Sequence, residues 1–188
     1  MSLYLHVDRL ANLEKLKRPV VQLERYEFRT EGFLSILSPA LESGLIQSLE
    51  STFEEGLSYH GAAYFVQLVQ MVNPETFGAF IAELYFEHVR QRDFVEKPSR
   101  LQSLFAWDDL SIAVEFLKKH NGDIYKVSPC GLCSKHDMNL LNASFDADEM
   151  EQRASLYWRG LPMSTDKAYA PKWEFLLKCP VEIIGKVS

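Results

Sequence analysis

The chain has 188 residues, a length typical of a single domain, and we expect one unit over residues 1–188. Apolar residues make up 47% and aromatic residues 12% of it, enough to build a core, which excludes a disordered chain. Its 20 Lys and Arg against 26 Asp and Glu leave a net charge of −6, so no overall positive field attracts phosphate backbones or anionic lipid. This balance disfavours a non-specific nucleic-acid binder.

The N-terminal sequence MSLYLHVDRL predicts neither a signal peptide nor a membrane span, because Asp8 and Arg9 interrupt its apolar residues early. The three cysteines do not form the even set typical of a secreted disulfide protein. We therefore expect no membrane partner and a cytoplasmic location, or delivery into a host cell by a route without a cleavable signal.

The first predicted element is a strand over Ser2 to Asp8, where apolar and polar residues alternate. The alternation predicts a half-buried strand with Leu3, Leu5 and Val7 inside and His6 on the opposite, polar face. A short helical pattern follows and stops at Pro19, and residues 20–23 are a second extended candidate.

The middle of the chain predicts helix from Ser38 to Phe94, with Ser38 as the cap, Pro39 at the first helical position and a break near Gly61. A second helix start at Asn73-Pro74-Glu75 precedes one apolar stripe: Phe77, Phe80, Ile81, Leu84, Tyr85 and His88. We expect an inserted helical block at about residues 38–95.

The C-terminal half alternates strands and helices. A predicted strand over residues 100–107 leads into a helix with Asp108 or Asp109 as cap, with Leu110, Ala113, Val114 and Leu117 inward, and with its end at residues 121–122. Further predicted elements are a strand over 123–128, a helix from Asp146 or Asp148 through Tyr157, and an apolar strand from Trp173 to Val187 broken at Pro180. Strands at both ends around a helical middle predict an α+β fold.

A cysteine cluster is one candidate site. Cys130 and Cys133 have the spacing of zinc ligands, and His136 and Cys179 would complete a Cys₃His set. A single close pair is a weak signal, because ordinary zinc modules carry a second pair, and we expect unpaired thiols and no metal.

The common nucleotide and hydrolase motifs are missing: the sequence contains no P-loop, G-x-G-x-x-G, G-x-S-x-G or H-E-x-x-H. Two isolated candidates remain. His6 is either a structural histidine or a ligand-binding one, and Glu174 is either a solvated residue at a strand start or a catalytic carboxylate in a cleft.

The order of these pieces resembles the ADP-ribosyltransferase fold. That fold begins with a strand bearing His, here Tyr4-Leu-His-Val7, and continues through a variable helical region to a strand that runs straight into a helix, here Gln102 to Val114. It closes with a glutamate on a late strand, here Pro171-Lys-Trp-Glu-Phe-Leu-Leu-Lys-Cys-Pro-Val181. Short segments at 86–90, 98–105, 136–138 and 157–160 are also similar to a family of small bacterial proteins associated with this fold.

The resemblance implies a split β-sheet core and NAD⁺ as co-substrate. It makes Glu174 the catalytic residue and His6 a ligand of the adenosine-side ribose. Arg9 or Arg100 would pair with the pyrophosphate, and Phe105 or Trp107 would stack on nicotinamide with Ser103 on the same face. The sequence departs from the arginine-modifying class at Lys172, where many members have a second glutamate, so that specificity is not implied.

The implied function is mono-ADP-ribosylation of a macromolecule by an effector or toxin. The acidic net charge favours a protein target over a nucleic acid, although Lys15, Lys17, Arg18 and Arg25 could form a local basic patch. The alternatives are an RNA 2′-phosphotransferase of the same fold and a non-enzymatic interaction protein that keeps the fold but not the chemistry.

Overall fold

The strands of the computed structural model form two antiparallel sheets. The structure describes residues 2–9, 12–15, 19–26, 43–63, 74–120, 122–141 and 147–187. In chain order the strands are β1 (Tyr4–Asp8), β2 (Val20–Val21), β3 (Ser103–Ala106), β4 (Asp123–Pro129), β5 (Cys133–Asp137), β6 (Trp173–Lys178) and β7 (Val181–Lys186). One sheet has the order β1-β4-β7-β2 and the other the order β3-β6-β5.

The two sheets meet where β1 passes the end of β3. The backbone N–H of Leu5 donates to Trp107 O at 2.7 Å, and that of Trp107 donates to Leu5 O at 2.8 Å. This bridge puts the first strand of the chain beside a strand about a hundred residues later. It brings His6 next to Phe105.

Helices connect the strands and cover the sheets. They are α1 (Asn12–Lys15), α2 (Ser43–Glu55), α3 (Tyr59–Ala62), α4 (Pro74–Asp93), α5 (Leu110–His120) and α6 (Ala147–Arg159), with 3₁₀ turns at Arg100–Gln102 and Met138–Leu140. The predicted α+β class is confirmed. Within the described ranges, no helix has both the length and the apolar character needed to cross a membrane.

Strand β1 is covered on both faces, which corrects the expectation of an exposed polar face. His6 is 4% exposed and Val7 3% exposed, while Leu3, expected inside, is 53% exposed. The physical reason is position: β1 lies between β4 and the end of β3, with α5 packed against it, so His6 and Val7, on its two faces, are both buried.

The helical region differs from the prediction at its break. Helix α2 ends at Glu55, and Gly56 has a positive φ of 106°, a backbone conformation that glycine adopts at low cost. The break is therefore at residues 56–58, and Gly61 lies inside α3. The predicted start at Ser38 and Pro39 lies outside the described residues, as does the cap Asn73.

Helix α4 begins at Pro74 as predicted, but it is buried on more than one face. Leu84 is 2% exposed, and Glu83 and Glu87 are buried as well. A single apolar stripe predicts that carboxylates outside the stripe face solvent. Here two other segments of the chain cover Glu83 and Glu87. The side chains of Phe77 and Phe80 lie outside the described residues.

The remaining boundaries follow the sequence with two corrections. Strand β3 begins at Ser103, because residues 100–102 form a 3₁₀ turn. Asp109 caps α5 by accepting from Ser111 N at 2.7 Å, yet Leu110, expected inward, is 50% exposed. Helix α6 and the break between β6 and β7 at Cys179-Pro180 agree with the predictions.

Strand β5 is the element that the sequence did not predict. Its sequence, CSKHD, lacks an apolar alternation, and it forms by pairing with β6. In that register His136 is opposite Glu174. His136 and Asp137 of this polar strand are buried where they pair with β6, while Cys133 and Lys135 remain exposed.

Candidate functional site

A cavity of about 460 Å³ lies at the junction of the two sheets. Side chains from β1, β3 and β6 and from helices α3, α4 and α5 line it. Of the predicted site residues, His6, Arg9, Arg100, Phe105 and Glu174 line this cavity. The volume is ordinary for a small-molecule site, for which about 300–1,000 Å³ is typical.

His6 is a neutral, oriented imidazole. Its Nδ1 lies 2.6 Å from Phe105 O, which can only accept, so Nδ1 carries the proton and donates. The hydroxyl of Tyr59 donates to Nε2. Burial lowers the pKa of His6 to about 4, so the ring is uncharged at neutral pH.

Glu174 is held by two donors on a single oxygen. Its Oε1 accepts from Arg100 Nη1 at 2.5 Å and from Tyr157 Oη at 2.7 Å. Within the described part of the chain, no group bonds to Oε2. The arrangement leaves one carboxylate oxygen for a ligand.

Arg100 is the centre of a buried ion cluster. Its Nε and Nη2 donate to the two oxygens of Glu83, each at 2.8 Å, and its Nη1 donates to Tyr157 Oη as well as to Glu174. The guanidinium carbon also lies 4.6 Å from the centroid of the Phe105 ring. Every donor nitrogen of Arg100 is occupied, so this side chain positions carboxylates and has no free nitrogen for a pyrophosphate.

Glu83 gives this cluster a net negative charge. Burial alone would raise the pKa of its carboxyl, but the charge of Arg100, the hydrogen bonds from Arg100 and the nearby His60 ring lower the pKa to about 2. Two carboxylates and one guanidinium therefore lie at this end of the cavity. His60 Nε2 lies 3.7 Å from Glu83 Oε1, and burial lowers the pKa of His60, which favours the neutral ring.

A second part of the cavity wall is aromatic and cationic. The Phe116 ring centroid lies 4.6 Å from that of Trp107 and 4.4 Å from that of His120. The guanidinium carbon of Arg9 lies 5.6 Å from the centroid of the same ring. In the described ranges Arg9 makes no salt bridge, so its charge is available to a ligand.

Ser103 does not line the cavity. Its side chain is fully buried, and its hydroxyl donates to Ser99 O at 2.6 Å. The expected contact of Ser103 with a nicotinamide therefore has no support from the cavity geometry.

The cysteine cluster does not form a metal site. His136 uses both ring nitrogens, since Nδ1 donates to Tyr157 O at 2.5 Å and Nε2 accepts from Ser134 Oγ at 2.6 Å. In the part of the chain that the structure describes, no three His, Cys, Asp or Glu side chains are grouped to hold a metal ion. Cys133 instead contacts the Tyr4 hydroxyl at 3.5 Å.

Sequence reasoning missed the residues that support the candidate carboxylate and imidazole, namely Tyr59, Glu83 and Tyr157. A signal existed only for Glu83, a charged residue inside the apolar pattern of α4. A buried charge of this kind demands a partner. The partner itself, Arg100, is 17 positions away and has no helical relation to it.

The chain was also compared with known proteins. The family model of DUF2441, whose members are described as proteins of unknown function, matches residues 13–188. The chain belongs to the DUF2441 family. No curated protein matches this DUF2441 chain. In the DUF2441 protein the matched range includes Arg100 and Glu174, and His6 and Arg9 precede it.

Proposed function

We propose that this DUF2441 protein is an NAD⁺-dependent mono-ADP-ribosyltransferase of the effector or toxin type. One observation carries the proposal: His6 and Glu174, at opposite ends of the chain, line one cavity. The resemblance found in the sequence requires this convergence.

The arrangement of the strands supports an ADP-ribosyltransferase-like split sheet. The strand with the histidine, β1, is bridged to the end of β3, and β3 pairs with the glutamate strand β6. The β3 strand leads into helix α5, and the glutamate strand is followed by a turn and β7. These are the three features on which the resemblance rests.

The chemistry follows from charge. Cleavage of the bond between nicotinamide and ribose builds positive oxocarbenium character on the ribose, as in glycoside cleavage. A fixed carboxylate beside that carbon stabilises the charge, and Glu174 is fixed by Arg100 and Tyr157. In this proposal Glu174 Oε2 accepts a hydrogen bond from the ribose 2′-hydroxyl.

The other predicted ligand roles divide between the two parts of the wall. Arg9 takes the pyrophosphate, because the donors of Arg100 are occupied by Glu83, Glu174 and Tyr157. His6 binds the adenosine-side ribose, and this contact requires an exchange of its bond with Tyr59. Of the two predicted stacking rings, Phe105 takes the nicotinamide, because it lies against Arg100 beside Glu174, whereas Trp107 packs on Phe116.

The macromolecular target is a protein in this proposal. A net charge of −6 gives no general attraction for nucleic acid. Of the basic residues considered for an RNA surface, Lys17 and Arg18 lie outside the described residues, and no geometric observation favours the phosphotransferase alternative.

The test is transfer of label from an NAD⁺ analogue to proteins of a cell lysate. Glu174→Gln keeps the size of the side chain and removes the negative charge, and we expect a loss of transfer of at least about 100-fold. The matched control is Glu182→Gln on β7, which lies outside the cavity lining and keeps wild-type transfer. Arg9→Ala shortens an exposed side chain, and we expect it to weaken NAD⁺ binding.

Two results would contradict the proposal. If the wild type and folded Glu174→Gln transfer label equally, the Glu174 carboxylate has no role in the reaction. Absence of NAD⁺ binding at millimolar concentration, with the protein folded, favours the interaction protein instead.

A further inference from the structure

The cavity wall contains a buried donor without an acceptor. Trp107 is 2% exposed, and its Nε1 meets no hydrogen-bond partner in the described structure. Trp158 shows the ordinary case, since its Nε1 donates to Phe86 O at 2.7 Å. A buried N–H without an acceptor loses its hydrogen bond to water and gains none in return, so such a group usually has a reason.

The surroundings of Trp107 indicate which kind of ligand group would accept a hydrogen bond from its Nε1. The Trp107 ring packs on the Phe116 ring, and Arg9 and His120 also lie against the Phe116 ring. All four residues line the cavity. Arg9 is the charged residue among the described residues that line this part of the wall, and its positive charge favours an anionic acceptor.

A different part of the wall disfavours an anion. Glu83 and Glu174 share the single charge of Arg100, so that end is negative. A ligand with an anionic group and a group that becomes cationic has one favourable orientation in this cavity. Its anionic group lies toward Arg9 and its reacting carbon toward Glu174.

We infer that Arg9, Trp107, Phe116 and His120 form a diphosphate subsite in which the indole N–H of Trp107 donates to a phosphoryl oxygen. The ligand class is a nucleoside diphosphate or a dinucleotide that contains one. The inference deepens the proposed function and rests on it for the choice of NAD⁺, but the subsite itself can be tested with ADP.

The direct test is the indole N–H signal of Trp107 in a nitrogen–proton NMR spectrum. The protein has three tryptophans, and Trp→Phe variants assign the three signals. We expect saturating ADP or inorganic pyrophosphate to move the Trp107 signal downfield and to slow its exchange with water. Adenosine, which lacks the phosphates, leaves it in place, and the Trp158 signal is the internal reference in all titrations.

A binding measurement adds an independent readout. Trp107→Phe lowers the affinity for ADP by about tenfold or more in calorimetry, the size expected for one hydrogen bond to a charged acceptor. Trp173→Phe is the matched control, because Trp173 lies on β6 outside the cavity lining, and it leaves the affinity unchanged. If Trp107→Phe fails to fold, the NMR experiment on the wild-type protein decides alone.

The outcomes separate this inference from the proposed function. Bound ADP that leaves the Trp107 signal in place overturns the subsite, as does a failure of both ADP and pyrophosphate to bind at millimolar concentration. A moved signal with ADP, without binding of NAD⁺, supports the subsite and contradicts the transferase. Label transfer from NAD⁺ without a moved signal keeps the transferase and overturns the subsite.

Discussion

Arg100 is the residue on which the candidate site depends most. It is 5% exposed and joins Glu83 on α4 to Glu174 on β6. Two buried carboxylates without their cation would have to take up protons or water, and both cost free energy. The same contacts that orient Glu174 therefore stabilise the fold.

Replacement of Arg100 by methionine is expected to be strongly destabilising. The side chain keeps similar volume but leaves both carboxylates uncompensated, so the free energy of unfolding falls by about 3–5 kcal/mol. Urea unfolding at pH 7.5 measures this loss. Arg92→Met is the matched control: its pairs with Asp93 and Glu151 are about half exposed, and its loss stays below about 1 kcal/mol. Similar losses in both variants would contradict the assigned role of Arg100.

At the scale of elements, the contact between α3 and the 3₁₀ turn sets the position of Tyr59 and His60. Ser58 N and Ser58 Oγ both donate to Leu101 O, at 2.8 and 3.0 Å. A Cβ at Gly61 would overlap that carbonyl oxygen and lie 3.0 Å from its carbon. The close approach requires glycine because backbone, not a movable side chain, occupies the space.

Gly61→Ala is expected to push α3 away from the turn. We expect a loss of about 1–3 kcal/mol in the free energy of unfolding, the usual size for an overpacked contact. NAD⁺ or ADP binding weakens as well, because His60 and Tyr59 line the cavity. Gly131→Ala is the control, since a Cβ there meets nothing within 4 Å. Thermal melting and calorimetry of both variants check the prediction, and a neutral Gly61→Ala would contradict it.

For the whole molecule, buried histidines make stability depend on pH. Burial lowers the pKa of His6 and of His136 to about 4 each, against an ordinary value of 6.5. Between these values the unfolded chain binds protons that the folded chain does not, so stability falls as the pH falls from 6.5 to 4. Glu83, with its pKa lowered to about 2, adds stability above its ordinary value of 4.5 that is lost on further acidification.

The expected size is about 3 kcal/mol for each histidine over the full window. Urea unfolding between pH 7.5 and 4.5 measures the dependence. His136→Gln removes one of the buried titrating rings, so its slope against pH is shallower than that of the wild type, whatever its stability at pH 7.5. A stability that stays constant from pH 7 to pH 5 would contradict the neutral, buried state of these rings.

The sequence by itself determined the elements whose signals are local. The cap Asp109, the helix start at Pro74 and the break at Pro180 are confirmed because capping and proline geometry act over a few neighbouring residues. The residues themselves indicated His6 and Glu174 as candidates, and the resemblance added Arg9, Arg100 and Phe105.

Only the tertiary structure decided how those residues are used. Strand β5 forms through its pairing with β6, and β1 loses its exposed face through its neighbours. Arg100 is committed to Glu83 and Glu174, while Trp107 retains an unpaired donor. The physical reason is that burial and ion pairing depend on contacts between residues far apart in the chain, which no local pattern encodes.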